Sequence, residues 1–160
     1  MKIIFLDIDG VLNSARSCAA TGDMPRGLNS LKFFDPIAIA LIQKICAQGV
    51  QCVLSSTWRL NHHFKDVGSF LGIPIMGATP VGGKIRTDSG FELELASRRG
   101  VEIDKWFNEN KHLNIEKYII IDDDSDILEH QRKYLVQTTH DDGFSFKNYL
   151  VACKLLEITD

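Results

Sequence analysis

A three-layer α/β sandwich, with helices on both faces of a central parallel sheet, is the fold class this sequence predicts. Three observations predict it. Short apolar runs recur at residues 2–6, 50–54, 73–76 and 118–121, without the polar alternation of a half-exposed strand. Segments with helical periodicity lie between them, and this order argues for parallel strands joined by helices. Three of the strands lead into hydroxyls or carboxylates: Asp7 and Asp9, Ser55, and Asp122 with Asp123. Parallel sheets bind ligands outside the carboxyl ends of their strands, so these groups converge on one crevice.

The elements follow in chain order. Residues 2–6 form the first strand, which stops at Asp7. A polar stretch from Asn13 to Leu31, with Gly22, Pro25 and Gly27, reads as an irregular loop with a short hairpin. Asp35 and Pro36 read as a helix N-cap followed by proline in the first turn. Ile37, Leu41 and Ile45 make its apolar stripe, and Gly49 stops it. A second strand covers 50–54. The next helix carries Leu60, Phe64, Val67 and Leu71 on one face and closes at Gly72, before a third strand at 73–76. Residues 77–100 are rich in glycine and charge and take no assignment. A helix spans 103–108, with Trp106 and Phe107 in the core, and a strand at 118–121 runs into Asp122. A short helix at 126–133, capped by Asp124 or Ser125, precedes a strand at 134–138. A last helix spans 145–157, with Phe144, Phe146 and Tyr149 packing it.

Composition narrows the class. The chain has 160 residues, 44% hydrophobic and 24% charged, which fits a soluble globular protein with one domain over 1–160. A net charge of -3 argues against broad electrostatic binding to nucleic acid and leaves room for a local basic groove. The four cysteines, Cys18, Cys46, Cys52 and Cys153, form no C-x-x-C pair and read as free thiols, the last three buried. The apolar start is too short for a signal peptide, no stretch is long enough to span a membrane, and a cytoplasmic location is expected.

The chemistry starts at Asp7-Ile8-Asp9-Gly10. One carboxylate can attack phosphorus and form an acyl-phosphate. A second, two residues on, can protonate the leaving oxygen and later deprotonate water. Gly10 lets the chain bend sharply after the strand. Asp122 and Asp123 crowd more negative charge at a neighbouring strand end, which calls for a cation. Mg2+ suits this set, because it prefers oxygen ligands and is held by one or two carboxylates plus phosphate oxygens. Asp7 and Asp122 lead as ligands, with Asp123 and Asp126 also in reach of the reading. Ser55 can donate to a phosphoryl oxygen alongside the backbone N–H groups of the following helix, which Ser56 and Thr57 begin. Arg59 sits in the first turn of that helix, against the usual dipole preference, which suits an anion nearby or a surface salt bridge. Lys84, Arg86, Arg98, Arg99 and Lys105 are all candidates for a cation on the phosphoryl group. His62 and His63 read as solvent-exposed.

Together these segments resemble the motifs of the haloacid dehalogenase superfamily. Asp7-Ile8-Asp9-Gly10-Val11-Leu12-Asn13 is similar to the first motif, Leu54-Ser55-Ser56 to the second, and Ile120-Ile121-Asp122-Asp123 to the fourth. Residues 53–59 and 99–106 further resemble the small capless domain of Swiss Army knife RNA-repair proteins. The resemblance implies a Rossmann-like sandwich without a substantial cap domain. It implies Asp7 as nucleophile, Asp9 as general acid/base, and the backbone carbonyl of Asp9 as a further ligand to Mg2+. It gives the cation role to Arg99, with Arg98 and Lys105 as alternatives, where an Arg would replace the commoner Lys. The expected substrate is a phosphate monoester on a large molecule, such as an RNA or DNA end. Competing readings are a phosphotransferase, a non-catalytic phosphate-binding scaffold, and a receiver-like signalling module. The last has its acidic pair and phosphorylated aspartate in the opposite chain order.

Overall fold

The structure is a computed structural model that describes residues 1–86, 92–95 and 98–160; for 83–86 and 92–95 it describes the backbone alone. Its centre is strand β1, Lys2–Leu6. On one side of β1 lie β2, Gln51–Leu54, and then β3, Ile75–Ala78; on the other lie β6, Lys117–Asp122, and then β7, Leu135–Gln137. All neighbouring pairs in this sheet are parallel. The α/β sandwich with a parallel sheet expected from the sequence is therefore the fold observed, and among the described residues there is no cap domain.

The unbroken apolar run of β1 has a direct physical cause. Successive side chains point to opposite faces, and both faces are covered. Ile4 and Leu6 enter one core cluster with Ile42, Ile119, Ile121 and Tyr149. Ile3 and Phe5 enter the other with Val53, Ile103, Trp106 and Ile120. Phe5 is the aromatic hub of the second cluster: its ring lies 5.3 Å from Trp106, 5.3 Å from Phe107 and 6.0 Å from Tyr118. Phe5→Ala is expected to cost about 3–5 kcal/mol, read as a lower midpoint in urea denaturation.

The first cluster is covered by α2, Pro36–Cys46, α3, Phe64–Leu71, and α5, Phe146–Leu156; α4, Arg99–Glu109, covers the second. Asp35 caps α2 as expected, accepting from the N–H groups of Ile37 at 2.8 Å and Ala38 at 3.2 Å. The buried stripe of α2 differs from the expected one. It is Ala38, Ile42 and Ile45, while Ile37 is 65% exposed. The helix is apolar enough to offer two stripes, and the core selects one.

Other segments also depart from the sequence reading. Within Asn13–Leu31, α1 spans Ala15–Thr21 and no hairpin forms among the described residues. Ser14 and Ser17 cap it reciprocally, and Gly22 ends it in the left-handed region. Leu60 belongs to a separate 3-10 turn, Thr57–Leu60, and is exposed, because the chain breaks before α3. The expected helix at 126–133 is a 3-10 turn, Glu129–Tyr134, so Asp124 and Ser125 cap nothing there. Phe144 and Tyr149 are buried, but Phe146 is exposed. Within the unassigned 77–100, β4, Gly83–Arg86, pairs antiparallel with β5, Glu92–Leu95. The side chains of Lys84 and Arg86, two candidate cations, lie outside the described residues.

Candidate active site

The sheet register delivers the candidate residues to one edge. Leu6 pairs with Leu54 on one side and Ile121 on the other. The next residues on these three strands are Asp7, Ser55 and Asp122, so they arrive side by side. The ladder continues through them: Asp7 N–H donates to Ile121 O at 3.0 Å, and Ser55 N–H to Leu6 O at 2.8 Å. All three side chains are buried.

Past Asp7 the chain turns back sharply. The N–H groups of Val11 and Leu12 donate to Ile8 O, and Gly10 adopts φ +72°. A Cβ on Gly10 would also stand 2.3 Å from Cγ of Asp123. Glycine is thus required here for its backbone conformation and for the close approach of the second acidic segment. The Thr138 hydroxyl donates to Gly10 O at 2.7 Å and fastens the turn to the strand edge.

Of the candidate cations, the structure brings Arg99 to the acidic edge. Its Nη2 lies 3.3 Å from Asp7 Oδ2, and its Nε lies 2.7 Å from Asp122 Oδ2. The second contact is a close charge pair without hydrogen-bond alignment, since Asp122 Oδ2 has no hydrogen-bond donor. Arg99 also donates to Ser55 O. Arg98 is exposed at the N-cap of α4, and Lys105 reaches Gly82 O at 3.4 Å instead. Arg99 occupies the first residue of α4, where the helix dipole disfavours a cation; the two carboxylates oppose that cost. Burial works against the Arg99 charge, but Asp7 and then Asp122 hold it protonated beyond the ordinary arginine range.

The approach of α4 depends on Gly100. A Cβ there would meet Leu128 N at 2.4 Å and Gln131 Oε1 at 2.6 Å. Gln131 is wholly buried and donates to Gly100 O and to Asp104 Oδ1. Gly100→Ala is expected to push the start of α4, and Arg99 with it, off the acidic edge. The check is a loss of stability of about 1–3 kcal/mol, the usual cost of overpacking, with a larger fractional loss of activity.

The acidic groups are crowded. Asp7, Asp122 and Asp123 each bring a carboxylate oxygen within 4.8 Å of the others. Burial raises the pKa of Asp7 while Arg99 opposes the rise. Burial, reinforced by the Asp7 charge, pushes Asp122 up to about 7. A hard divalent cation with oxygen ligands fits this donor set, because it would neutralise charges the fold buries together. Asp126 lies outside this trio; its Oδ1 is buried without a hydrogen-bond partner beside a small cavity lined by Thr57, Arg59, Arg99 and Glu102.

The second-strand segment is arranged around these carboxylates. Ser55 Oγ is buried and has no hydrogen-bond partner, which leaves a hydroxyl at the strand edge to meet a phosphoryl oxygen. Ser56 caps the Thr57–Leu60 turn and bonds Asp7, favouring its charged form. Thr57 is exposed. Arg59 makes a buried ion pair with Glu102 at 2.6 Å, rather than the surface salt bridge considered from sequence.

Asp9 stands outside the trio, with both oxygens held by other donors. Its Oδ1 accepts from Asn13 Nδ2 at 2.8 Å and its Oδ2 from Trp58 Nε1 at 2.9 Å. Sequence reasoning assigned no role to Trp58, Glu102, Gln131 or Thr138. Trp58 stood next to Arg59 in the motif, but a tryptophan four residues past a strand carries no signal of its hydrogen-bond partner.

A parallel sheet with paired aspartates after its first strand, a serine after the second and an acidic pair after the fourth defines the haloacid dehalogenase class. The chain belongs to this superfamily, specifically to the family described as the HAD domain in Swiss Army Knife RNA repair proteins, which matches residues 3–149. Members of the superfamily are generally hydrolases, phosphatases among them. No curated protein matches the chain. Among the described residues, no helix is long and apolar enough to cross a membrane.

Proposed function

We propose that this protein is a Mg2+-dependent phosphomonoesterase that works through an aspartyl-phosphate on Asp7. The observation that carries the reading is the convergence of Asp7, Ser55, Arg99 and Asp122 on one sheet edge, with Asp9 two residues past Asp7. Asp7 is the nucleophile. Arg99 and the Ser55 hydroxyl receive the phosphoryl oxygens, with the exposed Thr57 at the rim toward the rest of the substrate; Arg59 stays paired with Glu102 behind them. Asp9 protonates the leaving oxygen and then takes a proton from the attacking water. The side chains of Asp7, Asp122 and Asp123, with the backbone carbonyl of Asp9, would hold Mg2+. When bound, it would neutralise the charge between an anionic nucleophile and an anionic phosphate.

The substrate we propose is a phosphate on a large molecule, such as an RNA or DNA end. The family description supports that choice, as does the lack of a cap domain among the described residues. The experiment is phosphate release from 4-nitrophenyl phosphate and from 5′- and 3′-phosphorylated oligonucleotides, with Mg2+ and with chelator. Metal-dependent release supports the reading, and none from any substrate rejects it.

Metal binding has its own signature. Without metal, the proton that folded Asp122 keeps up to about pH 7 is lost by the unfolded chain near its ordinary value of 3.8. The stability this group contributes is therefore full below 3.8 and falls as pH rises through about 7. A cation takes the place of that proton. Chelator-treated protein is expected to lose melting temperature between pH 5 and 8, and Mg2+ is expected to raise it more at pH 8 than at pH 5. Equal Mg2+ effects at both pH values would contradict the assignment.

A further inference from the structure

Asp9 carries the proton traffic in the reading above, and its two oxygens are each held by a donor of one kind. Asn13 supplies one through Nδ2, at 2.8 Å, while its Oδ1 accepts from Gly10 N–H at 3.3 Å. The second bond orients the amide, so the NH2 group faces Asp9. Trp58 supplies the other through Nε1, at 2.9 Å. Its indole is locked in place: it is 9% exposed, its ring centroid lies 5.6 Å from Phe34 edge-to-face and 5.5 Å from His62, and it sits in the turn that Ser56 starts.

We propose that Trp58, together with Asn13, is a positioning residue for the general acid/base Asp9. The inference rests on the phosphomonoesterase reading. An indole N–H and an amide NH2 donate and cannot accept. Neither partner can take the proton from Asp9, so that proton passes only to the substrate or to water. The two bonds also fix the rotation of the carboxylate. In the first half-reaction a bond forms between an Asp7 oxygen and phosphorus, the bond from phosphorus to the leaving oxygen breaks, and that oxygen takes the Asp9 proton. In the second, water adds to phosphorus and gives its proton to Asp9, the acyl-phosphate bond breaks, and phosphate and the Asp7 carboxylate are released. Trp58 stands three residues past Ser55, so the segment that offers a hydroxyl to the phosphate also orients the acid for the leaving group.

A purely structural tryptophan and a positioning one differ in leaving-group dependence. A nitrophenolate leaves without help, whereas an alkoxide needs the proton. The experiment compares 4-nitrophenyl phosphate with glycerol 2-phosphate on wild type, Trp58→Phe and Asn13→Asp. Trp58→Phe keeps a ring against Phe34 and removes the N–H. Asn13→Asp keeps an acceptor for Gly10 N–H and removes the donor, so it serves if the first variant does not fold. The expected result is a fall in kcat/KM on the alkyl ester at least about 10-fold greater than on the aryl ester, within the 10²–10⁴ that general acid catalysis supplies. Equal losses on both esters, or no loss on either, would overturn the positioning role while leaving the nucleophile reading intact. Wild type that releases phosphate from neither ester nor from the phosphorylated oligonucleotides, with Mg2+ present, would overturn both.

Discussion

Asp7→Asn is expected to lower phosphate release by on the order of 10⁴-fold or more, as loss of a catalytic nucleophile does elsewhere. The fold is expected to survive. The asparagine keeps the size of the side chain, and the backbone N–H that joins Ile121 O is unchanged. The substitution also removes one of the crowded negative charges at the sheet edge. Asp122, whose pKa the Asp7 charge helps to raise, should then ionise at lower pH. The variant is therefore expected to be at least as stable as wild type in chelator at pH 8, with a weaker response to Mg2+. Melting curves and turnover on the same preparation check both halves. An amide cannot form the acyl-phosphate, so activity surviving in protein free of contaminating phosphatase would reject the mechanism. Inactive protein that is also unfolded would assign Asp7 a structural role instead.

The parts of this site legible in the sequence were those fixed by strand register. An apolar run buried on both faces is easy to recognise, and the residue that follows it must emerge at the sheet edge. Asp7, Ser55 and Asp122 could be placed together on that ground, and Leu6 does pair with both Leu54 and Ile121. Helix ends marked by side-chain caps, such as Asp35 before Pro36, were legible for the same local reason. What depends on packing between distant segments was not. Composition did not separate Arg99 from Arg98, and only the family resemblance favoured it; Gly100, which seats α4 against Leu128 and Gln131, separates them in three dimensions. The link from Trp58 to Asp9 spans 49 residues and leaves no periodic trace. The α1 helix was missed because its cap uses two serines, where the recognisable pattern ends in Glu or Gln. The β4–β5 pairing lies where glycine and charge obscured a short alternation in Glu92–Leu95.

Arg99→Met should show how much of the fold's tolerance for buried carboxylates rests on one guanidinium. Arg99 is largely buried, with 15% of its side chain exposed, and its two charge partners are more buried still. Removing one partner from such a network leaves uncompensated charge, which typically costs about 3–5 kcal/mol. The cost depends on pH in a defined direction. Asp122 can relieve it by keeping a proton, and does so readily below about 7. The destabilisation should therefore be larger at pH 8 than at pH 5, and Mg2+ should restore part of it by supplying another cation. Activity has no such relief. A preorganised cation on a developing phosphoryl charge is worth about 10²–10³ in rate, and methionine offers no donor. Arg99→Lys keeps a point charge but loses the forked contacts to Asp7, Asp122 and Ser55 O, so it is expected to fall between wild type and Arg99→Met. Urea denaturation at the two pH values, with and without Mg2+, separates the electrostatic cost from simple loss of packing. A packing loss would be the same at pH 5 and pH 8, and that result would place the compensating charge elsewhere.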